Sequence, residues 1–115
     1  SALTEFRPVS TSGIFSVVKA FPITGRMHQI RVHLKYAGYP VLGDKMYGDD
    51  ETIYLDYVKN GDSEQLVKRS GFHRCALHSH SFSFYDPFEK RVIKITAAIP
   101  EDISLFIANN ALFFE

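Results

Sequence analysis

The sequence predicts an α+β fold, a mainly antiparallel mixed sheet with flanking helices. Runs of strand character lie near both ends of the chain, and runs of helical periodicity fill its middle. The two kinds do not alternate as βαβ units, which argues against a parallel doubly wound sheet. "LTEFRPV" and "GIFSVVKAFPI" read as strands around the turn-like "STSG". In the second, Phe15, Val17 and Phe21 share one parity and Ile14 and Val18 take the other, as in a strand covered on both faces. Pro22 has no N–H to donate and should end that ladder.

Thr24 offers a helix N-cap, and "MHQIRVHLKYA" is expected to be a helix stopped by Gly38 in the left-handed conformation. On a helical wheel Met27, Ile30, Leu34 and Ala37 form an apolar stripe, with His28, Arg31 and Lys35 beside it within about 60° of one another. "YPVLGD" is a short extended segment turning at Gly43. "ETIYLDYVKNG" and "SEQLVKR" read as two short helices, the first ended by Gly61. "CALHSHSFSFYD" and "KRVIKITAAI" make a β-hairpin joined by "DPFE", and "EDISLFIANNALFF" closes the chain as a helix capped by its own early acids.

At 115 residues the chain is one domain at most, able to bury roughly two thirds of its unfolded surface. No apolar run approaches the roughly 20 residues of a membrane span, and "SALTEFRPVS" does not read as a signal peptide. Cys75 is the only cysteine, so no intrachain disulfide is expected, and a cytoplasmic location fits a single thiol. The formal net charge is zero but unevenly spread. Residues 19–48 carry Lys19, Arg26, Arg31, Lys35 and Lys45 against Asp44, whereas residues 49–64 carry six acids against Lys59. Such blocks can leave a basic face for a polyanion, or simply two solvated surfaces.

The densest cluster is Arg26, His28, Gln29, Arg31, His33 and Lys35. A helix N-terminus exposes N–H groups and partial positive charge, Gly25 permits close approach of an anion, and Arg26 and His28 add donors. The ordinary alternative is an amphipathic helix with a solvated cationic side. Arg31 weighs against it: at the edge of the apolar stripe it needs an anionic partner, and no acid lies at helical spacing. The carboxylates cluster in the acidic middle, so the partner is expected from elsewhere. His73, Cys75, His78 and His80 suggest zinc, but the spacing is poor and no second cysteine is present, so no metal is assigned. His78 and His80 are expected on one strand face with Phe82 and Phe84. No dinucleotide fingerprint, phosphate-binding glycine loop or nucleophile elbow is found, and no cofactor is expected.

Residues 23–48, "ITGRMHQIRVHLKYAGYPVLGDKMYG", closely resemble the signature "TGRTHQIRVHL…GHPIVGD…YG" of the RluA-type RNA pseudouridine synthases. "ALTEFR" and "FSVVKAFP" resemble the strands before that signature, and "CALHSHSFSF" with "AAIPEDI" resembles the family's close. Met27 stands where threonine is usual and Tyr39 where histidine is usual. The family's "HRLD" motif, which holds the catalytic aspartate, is absent from these residues, as is the strand with the aromatic that meets the uracil. The resemblance therefore implies that residues 1–115 are the C-terminal part, about half, of a single pseudouridine synthase catalytic domain. It implies isomerisation of uridine to pseudouridine in rRNA or tRNA, with a loop or single-stranded uridine flipped out of the RNA. By position it makes Arg31 the partner of the missing aspartate. Gly25, Arg26, His28, Gln29 and Lys35 would bind RNA, and Val41 and Leu42 would wall the uracil pocket. Self-association is expected through the surface that the absent half would cover. The alternatives are a non-catalytic RNA-binding module and a protein-interaction domain that uses the basic helix.

Overall fold

The computed structural model describes residues 3–24 and 27–114, with the side chains of Thr24 and Met27 outside that description. In chain order the elements are β1 (Leu3–Ser12), β2 (Phe15–Thr24), α1 (Met27–Tyr36), α2 (Glu51–Asn60), α3 (Glu64–Ser70), β3 (Ser81–Asp86), β4 (Arg91–Thr96) and α4 (Glu101–Asn109). The α+β class stands, and each strand pair is antiparallel. Instead of one mixed sheet, however, the described strands form two separate hairpins, β1–β2 and β3–β4.

In the first hairpin Ser12 pairs with Phe15 across a turn at Gly13, and the ladder runs down to Leu3 opposite Thr24. Pro22 does not end it. Thr4 pairs with Pro22, and the register shifts between Leu3 and Thr4; a second shift falls between Pro8 and Ser10. Each irregularity sits beside a proline, where a missing N–H interrupts the ladder without stopping it. Nor is β2 covered on both faces: Ile14 before it and Val18 and Phe21 within it are exposed.

Helix α1 ends as its sequence requires. The N–H groups of Gly38 and Tyr39 donate to the carbonyls of Lys35 and Leu34, at 3.0 and 2.8 Å, with Gly38 at φ +90°. This paired closure needs a left-handed residue at the C′ position, which glycine adopts without strain. Of the expected stripe, Ile30 is buried, Leu34 half-buried and Ala37 exposed. Asp50 caps α2 by accepting from the Thr52 N–H, and Ser63 caps α3 by accepting from the Leu66 N–H. The acids of α4 do less than expected. Pro100 stands at its N-cap without a side-chain cap, and the Asp102 carboxylate accepts only its neighbour Ile103's N–H within the helix.

Strand β3 begins at Ser81 rather than Cys75. Ala76 is drawn instead to the 39–44 segment, its N–H donating to the Leu42 carbonyl at 2.8 Å, while the His80 carbonyl accepts the N–H of Ala97, just beyond β4, at 2.8 Å. His78 and His80 lie just before the strand, edge to face with their rings 5.6 Å apart.

The C-terminal residues tie the ends of the chain together. Phe106 of α4 meets Phe15 and Phe72 edge to face, and the Ser10 hydroxyl donates to the Phe113 carbonyl while accepting from its N–H. Among the described residues the buried apolar side chains are Ile30, Ile53, Leu66 and Leu112. The radius of gyration is 16.0 Å, against about 13 Å for a compact domain of this length. The chain is elongated around a small core.

Candidate functional site

The segment after α1 folds back onto it because of one glycine and one aspartate. Gly43 has φ +78°, and its backbone is so close to residue 74 that a Cβ there would lie 2.0 Å from the Arg74 carbonyl oxygen. Only glycine fits both constraints. Its N–H donates to the Ser70 carbonyl, and the next residue, Asp44, donates its own N–H to the Val41 carbonyl. The Asp44 side chain is thereby turned inward, with 0% of it exposed.

There Asp44 meets Arg31. Arg31 Nε donates to Asp44 Oδ2 at 2.8 Å and Nη2 donates to Oδ1 at 2.6 Å, a two-pronged pair between α1 and the turn. Oδ1 also accepts the backbone N–H groups of Met46 and Tyr47, both at 3.0 Å. Burial pushes the Asp44 pKa up, but the Arg31 bond, the two N–H groups and the guanidinium charge outweigh it and hold the carboxyl below its ordinary 3.8. The hydrogen bonds that Arg31 donates to Asp44 likewise raise Arg31 above its ordinary value against the opposing effect of burial. The expectation that Arg31 lacks an acid within this chain is therefore corrected. Its partner lies 13 residues on, beyond helical reach, and the turn at Gly43 brings it back. Asp44 is the site residue that sequence reasoning missed.

The same turn places Tyr47 under Arg31, with the guanidinium carbon 5.1 Å from the ring centroid. The Tyr47 hydroxyl hydrogen-bonds the exposed His28 Nε2, and the two rings meet edge to face. His28, Arg31 and Tyr47 thus form one continuous array. Lys35 lies one helical turn beyond Arg31, in a shallow groove it shares with Tyr36, Met46, Tyr47, Glu51 and Tyr54. Gln29 is half-buried in the first turns of α1.

The remaining candidates fall differently. Gly25 and Arg26 lie outside the described residues, as does the Thr24 side chain proposed as the cap of α1. Leu42 packs inward, its Cδ1 so close to Gly71 that a Cβ there would stand 2.7 Å away. Val41 is half-buried and lends its carbonyl to the turn. Cys75 is half-buried beside the pair, and burial, reinforced by Asp44, pushes its thiol up to about 11. It is a neutral packing group at ordinary pH.

A second, more exposed ion pair lies near the C-terminal helix. Arg74 Nε and Nη2 donate to Asp102 at 2.8 and 2.9 Å, and His73 Nε2 lies 3.0 Å from the same carboxylate. The Arg74 bonds hold Asp102 down at about 2. This pair joins α4 to the 71–76 segment that also packs against Gly43.

No family model matches the chain. Curated proteins do. The chain is 38% identical over 96 residues to the ribosomal large subunit pseudouridine synthase D of Xylella fastidiosa, covering 80% of this chain and 28% of that protein. It is 38% identical over 87 residues to the tRNA pseudouridine synthase C of Haemophilus influenzae, covering 76% of this chain and 32% of that protein. To the ribosomal large subunit pseudouridine synthase C of Escherichia coli it is 33% identical over 100 residues, 87% of this chain and 28% of that protein. The chain spans between a quarter and a third of the length of these relatives.

Proposed function

The chain belongs to the RluA-type pseudouridine synthase family, and we propose that it contributes the basic helix of a uridine-isomerising site acting on rRNA or tRNA. The observation that carries this reading is the Arg31–Asp44 pair, which makes a single rigid unit of α1 and the 39–48 segment. A guanidinium has two forked edges, and Asp44 takes the one formed by Nε and Nη2. The edge formed by Nη1 and Nη2 remains, and it suits a reactive carboxylate supplied outside these 115 residues. His28, Lys35 and Arg26 then serve as phosphate contacts, which orient RNA without selecting sequence. Val41 lines the uracil side, while Leu42 supports it from behind. The apolar faces of the two hairpins are covered by the remainder of a longer protein, or by a second copy when these residues stand alone.

The test is tritium release from RNA labelled at uridine C5. The longer protein that carries this sequence is expected to release tritium, and the 115-residue chain alone is expected to release none. Turnover by the short chain would mean that the reactive carboxylate lies within it, and would overturn the division of labour proposed here.

A further inference from the structure

Asp44 makes more bonds than a helix tether requires. Its Oδ1 accepts from Arg31 Nη2, the Met46 N–H and the Tyr47 N–H, and its Oδ2 accepts from Arg31 Nε. The residue before it is fixed by a backbone contact that excludes any side chain. The guanidinium is therefore held at one edge by an immobile carboxylate and on one face by the Tyr47 ring. Arg31 has four rotatable side-chain bonds, and in water such a group would sample many orientations. Here the plane of its remaining edge is set by Asp44 before any ligand arrives.

We propose that Asp44 is a positioning residue for Arg31, orienting the free Nη1/Nη2 edge toward the reactive carboxylate of the uridine-isomerising site. This rests on the function proposed above. Preset donors need no reorganisation when charge moves, which is where such an arrangement gains its rate advantage. Asp44 touches neither RNA nor the reacting base on this assignment, so its effect should fall on turnover and spare binding.

Asp44→Asn separates this from a general loss of structure. Asparagine keeps an Oδ1 that can accept from Met46, Tyr47 and Arg31 Nη2, but opposes Arg31 Nε with an amide donor. The turn is preserved and the fork is broken. In the longer protein, kcat per folded molecule is expected to fall about 100-fold, as befits loss of a largely desolvated pair, with KM for RNA within about twofold of the parent. In the parent the Arg31 Nε–H resonance is expected to exchange slowly and lie downfield because of its bond to Asp44, and in Asp44→Asn it should lose both properties. Asp44→Glu keeps the charge but moves it by one methylene. It should fold, retain a shifted Nε–H signal and show an intermediate kcat, and it decides the matter if Asp44→Asn fails to fold.

Unchanged kcat in folded Asp44→Asn, or in Asp44→Glu where only that variant folds, overturns the positioning role. So does an Nε–H signal that persists unaltered in Asp44→Asn. If the parent protein makes no pseudouridine at all, the proposed function fails and this role fails with it. Parent turnover alongside normal variant turnover removes the positioning role alone.

Discussion

The turn at Asp44 and the β3–β4 hairpin are built from comparably apolar sequence, yet one is sealed and the other lies open. Around Asp44, Ile30 is buried, the carboxylate has no exposed surface and Gly43 touches backbone. Along the hairpin Phe82, Tyr85, Val92 and Ile95 are all more than half exposed, and Phe88 in the connecting turn is 94% exposed. Hydrophobicity therefore does not decide which region closes. What differs is a set of directional partners: the turn is satisfied by bonds from residues 31, 41, 46, 47 and 70, whereas the hairpin's pairings satisfy only its own two strands. An isolated two-stranded hairpin is marginal in water, so this one depends on whatever covers its face.

The largest effect should come from breaking the sealed region. Asp44→Ala removes the acceptor for both Arg31 nitrogens and two backbone N–H groups, and leaves a half-buried arginine without its counter-ion. Losing one partner of such a pair costs on the order of 3 kcal/mol, the lower end of the usual range because Arg31 keeps some solvent. That is a large fraction of the stability of a small domain. Chemical denaturation should show the loss, and amide exchange should place it in α1 and residues 39–48 while the β3–β4 amides stay as they were. Equal loss of protection in both regions would mean that the two are one cooperative unit.

Acid gives a reversible version of the same break. Asp44 has a folded pKa depressed below 3.8, so its contribution is fully present above the unfolded value and is lost as pH falls through the lower folded one. Asp102, held at about 2 by Arg74, behaves in the same direction but is open to solvent and contributes less. Stability should be flat from pH 7 to about 5 and fall below pH 4, with α1 loosening before α4. Asp44→Asn should remove most of that acid dependence. A titration that follows the same curve in parent and variant would transfer the effect to other carboxylates.

Much of the sealed region was legible in the sequence element by element. Two helix ends announced themselves through Gly38 and Gly61, because caps are local chemistry set by residues within four positions, whereas the N-caps Asp50 and Ser63 emerged only in the structure. The need of Arg31 for an acid was legible too. Its identity was not, since a separation of 13 residues has no helical period and depends on a backbone contact between Gly43 and Arg74, 31 positions apart. The hairpins were legible as pairs of strands, yet the same alternation suggested burial that the fold does not deliver. Periodicity reports which face is apolar, and says nothing of whether this chain supplies the cover. The early start given to β3 had the same origin: residues 75–80 have strand composition, but the Leu42 carbonyl takes the Ala76 N–H.

The smallest effect on stability should come from the open region, where the change appears in association instead. Phe88 sits in the turn at 94% exposure and Phe82 on the hairpin at 62%, its ring stacked on that of Phe84 at 5.7 Å. Phe88→Ser and Phe82→Ser remove little buried surface, so each should change unfolding free energy by no more than about 0.5–1 kcal/mol. Contiguous exposed apolar surface drives self-association, and among the described residues β3 and β4 each also present an edge with no partner strand. The isolated chain is accordingly expected to sediment as more than a monomer at high concentration and to bind an apolar dye. The double substitution should shift it toward monomer and weaken dye binding, with α1 protection unchanged. A parent chain that sediments as a clean monomer without dye binding would show that the hairpin is not an adhesive surface. If the double substitution instead loosened α1, the sealed and open regions would be energetically coupled, and the contrast between them would be one of exposure alone.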